Sequence, residues 1–362
     1  KGNGDDVEMR EKGTKRARER SFFDTYLLQT LLVGVLTFAL GFYLGSARES
    51  SQPRKRDVSA MEIGEEREER GRRVTTGGQD KRRLFSLAGP VRWECLPQKA
   101  KDAFTLNGKI RVYPYFFDGD GQQGQERRTW TDNQIDELME KAKKGDELSL
   151  GYCGASRYLL SAFTSFSVQN KQAMVIGSIN PWVEALLLLC RVKTPIVTVD
   201  FNPPHANTER IKSISVTDLE TMQPSPKVDV LISYSSIEHD GLGRYGDPIN
   251  PEGDFAAIES MRELLKDGGL LFLSIPVGSD MLVFNAHRIY GPERLKLLTK
   301  NFEMVGLFGS RQDLKLEDLY SLPGGDGMNG DCAEEKRRNW EQPVIVLCKP
   351  PGCPPSKMRG SM

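Results

Sequence analysis

Apolar and polar positions fall into four regimes along the chain. The first is a run from Tyr26 to Ala47 that carries no charged side chain and is rich in Leu, Val, Phe and Gly. As a helix its 22 residues rise about 33 Å, enough to cross a hydrocarbon core of about 30 Å. Phe22, Phe23 and Tyr26 at one end, with Phe42 and Tyr43 at the other, suit interfacial positions. A transmembrane signal anchor over residues 22–47 is therefore expected, behind a basic tail at 1–21. Gly45 and Ala47 would suit a signal-peptide cleavage site, but the run is longer than the usual cleaved segment. The chain opens on Lys1, so residues are expected before it.

The second regime, 48–83, is dense in Arg, Glu, Ser and Gly with almost no large apolar residue, the composition of a disordered stem. The third, 84–172, reads as a helical extension of the globular part. Ile135, Leu138 and Met139 recur at helical spacing after Thr131, up to a stop near Gly145, and a second helix is expected over Arg157 to Phe166.

From Ala173 to Pro350 short β-branched or apolar runs alternate with helical stretches. "AMVIGS" is a strand ending at Gly177, and Asn180 and Pro181 suit the start of the helix "WVEALLLL". "TPIVTVD" ends in Asp200, 23 residues after Gly177. "SISVTDLE" with Asp218, "VDVLISYSSIEHD" and "GGLLFLSIPVG" supply further strand positions, with a helix over Phe255 to Leu265. "HRIYGPERLKLLTKNF" reads as one helical segment, followed by strands in "EMVGLFG" and "QPVIVLCK". The alternation predicts an α/β class protein with a Rossmann-like, doubly wound seven-stranded sheet. Residues 351–362 are expected to be a disordered tail.

Charge changes this picture little: 50 basic and 50 acidic residues balance, so no field favours a polyanion and no nucleic-acid partner is expected. Six Lys and Arg precede the apolar run (Arg10 to Arg20) and four follow it (Arg48 to Arg56). That bias orients the folded domain to the lumen of the Golgi or endoplasmic reticulum. The six cysteines show no CxxC spacing and leave the redox compartment open.

The candidate chemistry lies at strand ends. A carboxylate about 20 residues beyond a first glycine turn is where dinucleotide-type folds bind ribose hydroxyls, which singles out Asp200. The full glycine signature of a dinucleotide dehydrogenase is absent after "VIG". His205, His239 and His287, the only three histidines, all fall in predicted loops after strands. His239 is the first choice for a base, with a pKa suited to neutral pH, and Glu238, Asp240 and Asp247 stand ready to orient it or to hold a metal. His205 and His287 read as structural. Asp118 and Asp120 in "FDGDG" form a DxD pair of the kind that holds a metal and a sugar nucleotide in Golgi glycosyltransferases, although Gly and Asp are also default turn formers. No other metal site is expected.

Over Ala173 to Pro350 the chain resembles class I S-adenosylmethionine-dependent methyltransferases. "VIGS" is similar to their first motif, with Gly177 and Ser178. Asp200 looks like the ribose-binding acidic residue, Asp218 like the one beside the adenine, and "SYSSIEH", with Ser235, like the fourth-strand motif. Similar still are the "GSINPWVEALLL", "SSIEHDGLGRYGDPINPEGD" and "HRIYGPERL" blocks of a family first defined on Caenorhabditis proteins, for which no reaction is established. The resemblance implies S-adenosylmethionine as cofactor and methyl transfer to an acceptor that the sequence leaves open. The turn after Gly177 departs from the usual run of glycines: Ser178, Ile179, Asn180 and Pro181 follow. A catalytically inactive interaction protein on the same fold is the alternative reading.

Overall fold

The apolar runs that begin at residue 172 assemble into one seven-stranded sheet. The computed structural model describes residues 89–117, 128–149, 151–324 and 339–357. The expected anchor at 22–47, the expected stem at 48–83 and the Asp118/Asp120 pair lie outside them. Among the described residues no helix is long and apolar enough to cross a membrane.

In chain order the strands are β1 (Arg111–Pro114), β2 (Thr129–Thr131), β3 (Gln172–Ile176), β4 (Lys193–Asp200), β5 (His205–Asn207), β6 (Ile211–Ser215), β7 (Val228–Tyr234), β8 (Leu265–Ser274), β9 (Met281–Phe284), β10 (His287–Ile289), β11 (Glu303–Phe308) and β12 (Val344–Cys348). The large sheet runs β11-β12-β8-β7-β3-β4-β6. Five strands from β8 to β6 are parallel, and β12 is antiparallel to both β8 and β11. The chain winds outward from β3 to β4 and β6, then returns to β7 and β8 on the other side. The switch in direction falls between β3 and β7, where open α/β sheets bind ligands beyond the strands' carboxyl ends.

Helices cover both faces, which is why the strands read as near-continuous apolar runs. On one face α3 (Ala155–Ser165) and α4 (Trp182–Leu189) set Leu159, Phe163, Trp182 and Leu186 against Val175, Ile232 and Phe272. On the other, α6 (Gly253–Leu264) and α7 (Pro292–Leu298) set Ile258, Met261, Leu295 and Leu298 against Leu231, Leu271 and Ile345. The period-two alternation within β7, Val230 and Ile232 to one face and Leu231 to the other, fixes the register. Each such side chain contributes about 1.5–3 kcal/mol through burial. Among the described residues the remaining helices are α1 (Gln98–Phe104), α2 (Asp132–Lys143), α5 (Val216–Thr221) and α8 (Leu316–Tyr320).

The region 84–172 is not purely helical. Strand β1 pairs with β9, which pairs with β10, and β2 pairs with β5. Leu96 and Phe104 of the α1 region pack with Leu242 and Ile249, from the loop after β7, and with Leu282 and Phe284 of β9. A small second layer thus covers the loop that leaves the switch point. Helix α2 begins where expected, with the Thr131 hydroxyl accepting from the Gln134 amide at 3.3 Å. The stretch expected as one helix from His287 divides: His287–Ile289 pairs with β9, and α7 starts only at Pro292. The segment expected as a tail is held as far as Lys357, because Cys353 is bonded to Cys348 and the Lys357 amide donates to the Val305 carbonyl at 2.7 Å.

Candidate functional site at the sheet switch point

The first loop of the site leaves β3 at Gly177, whose φ is +72°. A Cβ there would lie 2.5 Å from Ser236 Oγ, so this position needs glycine both for its conformation and for the close approach of the loop after β7. Ser178 is buried and turned inward, donating to the Asn180 carbonyl and to Glu184 at 3.0 and 3.2 Å. Glu184 also accepts from Thr198 at 2.8 Å, and burial pushes its carboxyl up to about 7. The Ser178 hydroxyl is therefore taken up inside the fold, below the turn.

Asp200 ends β4, half-buried, and accepts from the Asn202 amide at 2.8 Å. Burial raises its pKa, while the Asn202 amide and the nearby Arg128 pull it back down. Ile179 and Phe201 follow Gly177 and Asp200 at the ends of neighbouring strands and stay 67% and 70% exposed. Large apolar side chains left that open beside a carboxylate offer a flat ring a surface to lie on. The donor set fits the nucleoside end of S-adenosylmethionine: Asp200 for the ribose hydroxyls, Ile179 and Phe201 for the adenine faces. At the methionine end Ser178, Ile179, Asn180 and Pro181 stand where several glycines are usual.

Asp218, expected beside the adenine, lies in the first turn of α5. Its carboxylate closes a capping box with Ser215, accepting from the Ser215 hydroxyl at 2.7 Å, while the Ser215 hydroxyl accepts from the Asp218 amide at 3.0 Å. The local pattern Ser-x-x-Asp was the signal for that cap.

The loop after β7 carries the densest chemistry. Ser235 has φ of +51°, a conformation rare outside glycine and concentrated at functional sites. Tyr152, from the segment before α3, donates to Ser235 Oγ at 2.8 Å, and Ser235 donates to Glu238 Oε1 at 2.6 Å. Glu238 is 1% exposed, and its Oε2 is buried without a hydrogen-bond partner. Burial pushes its carboxyl up to about 7, against the Ser235 hydrogen bond and the Arg244 and Arg288 charges, which pull down.

His239 Nδ1 lies 2.6 Å from the Ala286 carbonyl, which requires that nitrogen to carry the hydrogen. Nε2 then presents its lone pair 3.7 Å from Glu238 Oε1. Burial, with Arg244 next, lowers the imidazole to about 3. The expected pKa near neutrality is thus displaced, and Glu238 is the group of the pair that changes protonation near pH 7. Asp240 is raised well above the ordinary carboxylate range by burial, and its carbonyl accepts from Arg288 at 2.7 Å. Asp247 pins the loop, accepting from the amides of Gly241, Gly243 and Tyr245.

The histidines do not gather in loops as expected. His205 is exposed in β5 and lines a pocket of about 370 Å³ with Pro204, Glu209 and Lys212, sharing no residue with the switch point. His287 is buried in β10, with Nε2 lacking a hydrogen-bond partner and its pKa lowered by burial to about 4. Gly177, Ser178, Asp200, Ser235 and Glu238 converge at the switch point, Asp218 caps α5 from Ser215, which pairs with Asp200 across β4 and β6, and His205 stands apart. Tyr152, Arg244 and Arg288 were missed, since no local pattern announces a partner 83 residues away.

The strand order, the antiparallel β12 and the loops at the β3/β7 switch define a methyltransferase-like α/β fold. More particularly, the model of a family described as Caenorhabditis protein of unknown function, DUF268, matches residues 170–322, which spans the switch point and its loops. No curated protein matches the chain. Similar solved structures include the [4+2]-cyclase SpnF, 16% identical with a TM-score of 0.38 over 60% of this chain and 94% of that one. The N-methyltransferase NodS from Bradyrhizobium japonicum is 14% identical with a TM-score of 0.34, over 54% and 96%. TehB from Haemophilus influenzae is 12% identical with a TM-score of 0.35, over 59% and 67%. Scores in this range do not by themselves establish a shared fold, which rests on the strand order.

Proposed function

We propose that this protein is an S-adenosylmethionine-dependent methyltransferase whose cofactor lies across the carboxyl ends of β3, β4 and β7. The observation that carries this reading is the placement of Asp200 at the end of β4 directly beside the Gly177 turn, whose amide donates to the Val199 carbonyl at 2.9 Å, with Ile179 and Phe201 left open next to it. The bound cofactor would supply an electrophilic methyl group. Asp200 holds the ribose, and Ser235 and the Gly177 turn position the methionine end. Glu238, ionised over part of the neutral range, takes the acceptor's proton. His239, neutral at that pH, keeps its Nε2 lone pair toward Glu238 and leaves the base role to the carboxylate.

In this reading a membrane anchor at 22–47 holds the domain on the lumenal side of the Golgi or endoplasmic reticulum. The bonded pair Cys348–Cys353, together with Cys153, which is also disulfide-bonded, favours such an oxidising compartment.

The test is calorimetric titration of S-adenosylhomocysteine into the full chain and its Asp200→Ala variant. Micromolar binding, about 8 kcal/mol, that is lost in the variant supports the reading. Absence of heat and of thermal shift in the unaltered chain overturns it in favour of an inactive relative.

A further inference from the structure

A continuous wall of aromatic rings and one guanidinium leads from the surface to Glu238. Tyr115, 39% exposed just past β1, packs on Phe117 with ring centroids 4.8 Å apart. The Arg244 guanidinium lies 4.2 Å from the Phe117 ring centre and 5.1 Å from that of Tyr245. Tyr245, 41% exposed, meets His239 edge-on at 5.6 Å, and His239 faces Glu238. The wall is built rather than incidental. Asn285, fully buried, accepts from the Phe117 amide at 2.8 Å and donates back to its carbonyl at 3.2 Å. The next carbonyl, of Ala286, takes both His239 Nδ1 and Arg244 Nη1.

Tyr115 and Tyr245 each keep part of a ring open to solvent, and a partly open aromatic ring matches a pyranose ring. Its axial C–H face covers an aromatic ring, while the hydroxyls on its rim reach polar partners. A nucleic acid would instead require a field of unopposed cations, and the chain's charge is balanced. The same rim would deliver a hydroxyl to the carboxylate at the inner end of the wall.

We propose that this wall binds a glycan, and that a pyranose hydroxyl presented to Glu238 is the methyl acceptor. The proposal rests on the methyl-transfer reading above. In the transfer a hydroxyl oxygen lone pair makes the new O–CH3 bond, the S–CH3 bond of S-adenosylmethionine breaks with its pair left on sulfur, and the hydroxyl proton passes to the Glu238 carboxylate.

The experiment titrates chitotriose, mannotriose, lactose and, as a control, an oligothymidylate into the full chain and its Tyr115→Ala and Tyr245→Ala variants. S-adenosylhomocysteine is titrated into the same samples. The expected result is saturable binding of at least one sugar, weakened tenfold or more in both variants, with S-adenosylhomocysteine affinity unchanged in Tyr115→Ala. Binding of S-adenosylhomocysteine with no sugar bound overturns the glycan proposal alone, as does sugar binding indifferent to both variants or matched by the oligothymidylate. Sugar binding that is lost in the variants, in a chain that ignores S-adenosylhomocysteine, keeps the wall as a glycan surface and overturns the methyl-transfer reading.

Discussion

Gly177 and Ser236 meet across the switch point: the side chain of Ser236 fills the space that a Cβ on Gly177 would need, with Oγ 2.5 Å and Cβ 2.9 Å from that position. The loop after β3 and the loop after β7 are thereby locked at their closest approach, and both carry residues of the site. We expect Gly177→Ala to destabilise the protein by about 1–3 kcal/mol through its positive φ alone, with a further loss from the overlap. Adding Ser236→Gly should remove the overlap and leave the φ penalty. Thermal denaturation of the two variants checks this; equal stability of the single and double variants would mean that the overlap relaxes without effect.

The loop after β7 is anchored from below by a buried ion cluster. Asp254, fully buried at the start of α6, accepts from Arg294 at 2.6 and 2.8 Å and from the Tyr290 hydroxyl at 3.0 Å. Arg288 lies 3.7 Å from the same carboxylate and donates to the Asp240 carbonyl. The two arginines hold the Asp254 carboxyl below the usual range despite its burial. Asp254→Ala would strand two buried guanidinium groups, so we expect a loss of about 3–5 kcal/mol, read by chemical denaturation. A loss below 1 kcal/mol would show that water replaces the carboxylate.

The sheet was legible because its strands are consecutive apolar runs buried on both faces, and because Gly177 and Asp200 close their strands with residues of plain chemistry. What escaped depends on distant partners. His287–Ile289 becomes a strand only by pairing with Met281–Val283, although Pro292, a first-turn proline, marked the true start of α7. Asp218 also closes a helix cap with Ser215, a role that its spacing from that serine already described. The pKa of His239 was out of reach, since it is set by burial under the small second layer and by Arg244. Tyr152 reaches Ser235 from outside the recognisable sheet, and the wall from Tyr115 to Tyr245 joins segments more than a hundred residues apart.

The pinned end of the chain gives a covalent test. Cys348 is fully buried in β12, and its bond to Cys353 closes a short loop with a sequence separation of 5. A loop that small restricts the unfolded chain modestly, so Cys353→Ser should cost about 2 kcal/mol. Alkylation of the denatured but unreduced protein should label Cys95 and Cys190, the free thiols among the described residues, and leave Cys153, Cys348 and Cys353 unlabelled until reductant is added. Labelling of Cys348 without reductant, in protein recovered from its own cell, would speak against an oxidising compartment.

Glu184 gives the cleanest handle on pH, because it lies in α4 beneath the site, where only Ser178 and Thr198 hydroxyls meet it. Burial raises its carboxyl from 4.5 to about 7 in the folded protein. A folded pKa above the unfolded one means that the folded state binds the proton more tightly. The group's stabilising contribution is then fully present below about pH 4.5 and is lost as pH rises through 7. The gap between 4.5 and about 7 corresponds to about 3 kcal/mol at 1.36 kcal/mol per unit. Glu184→Gln keeps the shape and cannot ionise, so the variant should gain about 3 kcal/mol relative to the unaltered protein between pH 4.5 and pH 8, whatever its stability at either end. Glu238, raised to a similar value, pulls in the same direction, while His239 and His287, lowered to about 3 and about 4, withdraw stability as pH falls below 6.5. These groups are common to both proteins, so their effects cancel in the comparison. Denaturation curves for both proteins at the two pH values measure the difference. A variant whose stability tracks the parent at both pH values would mean that water reaches Glu184 and leaves its carboxyl near its ordinary value.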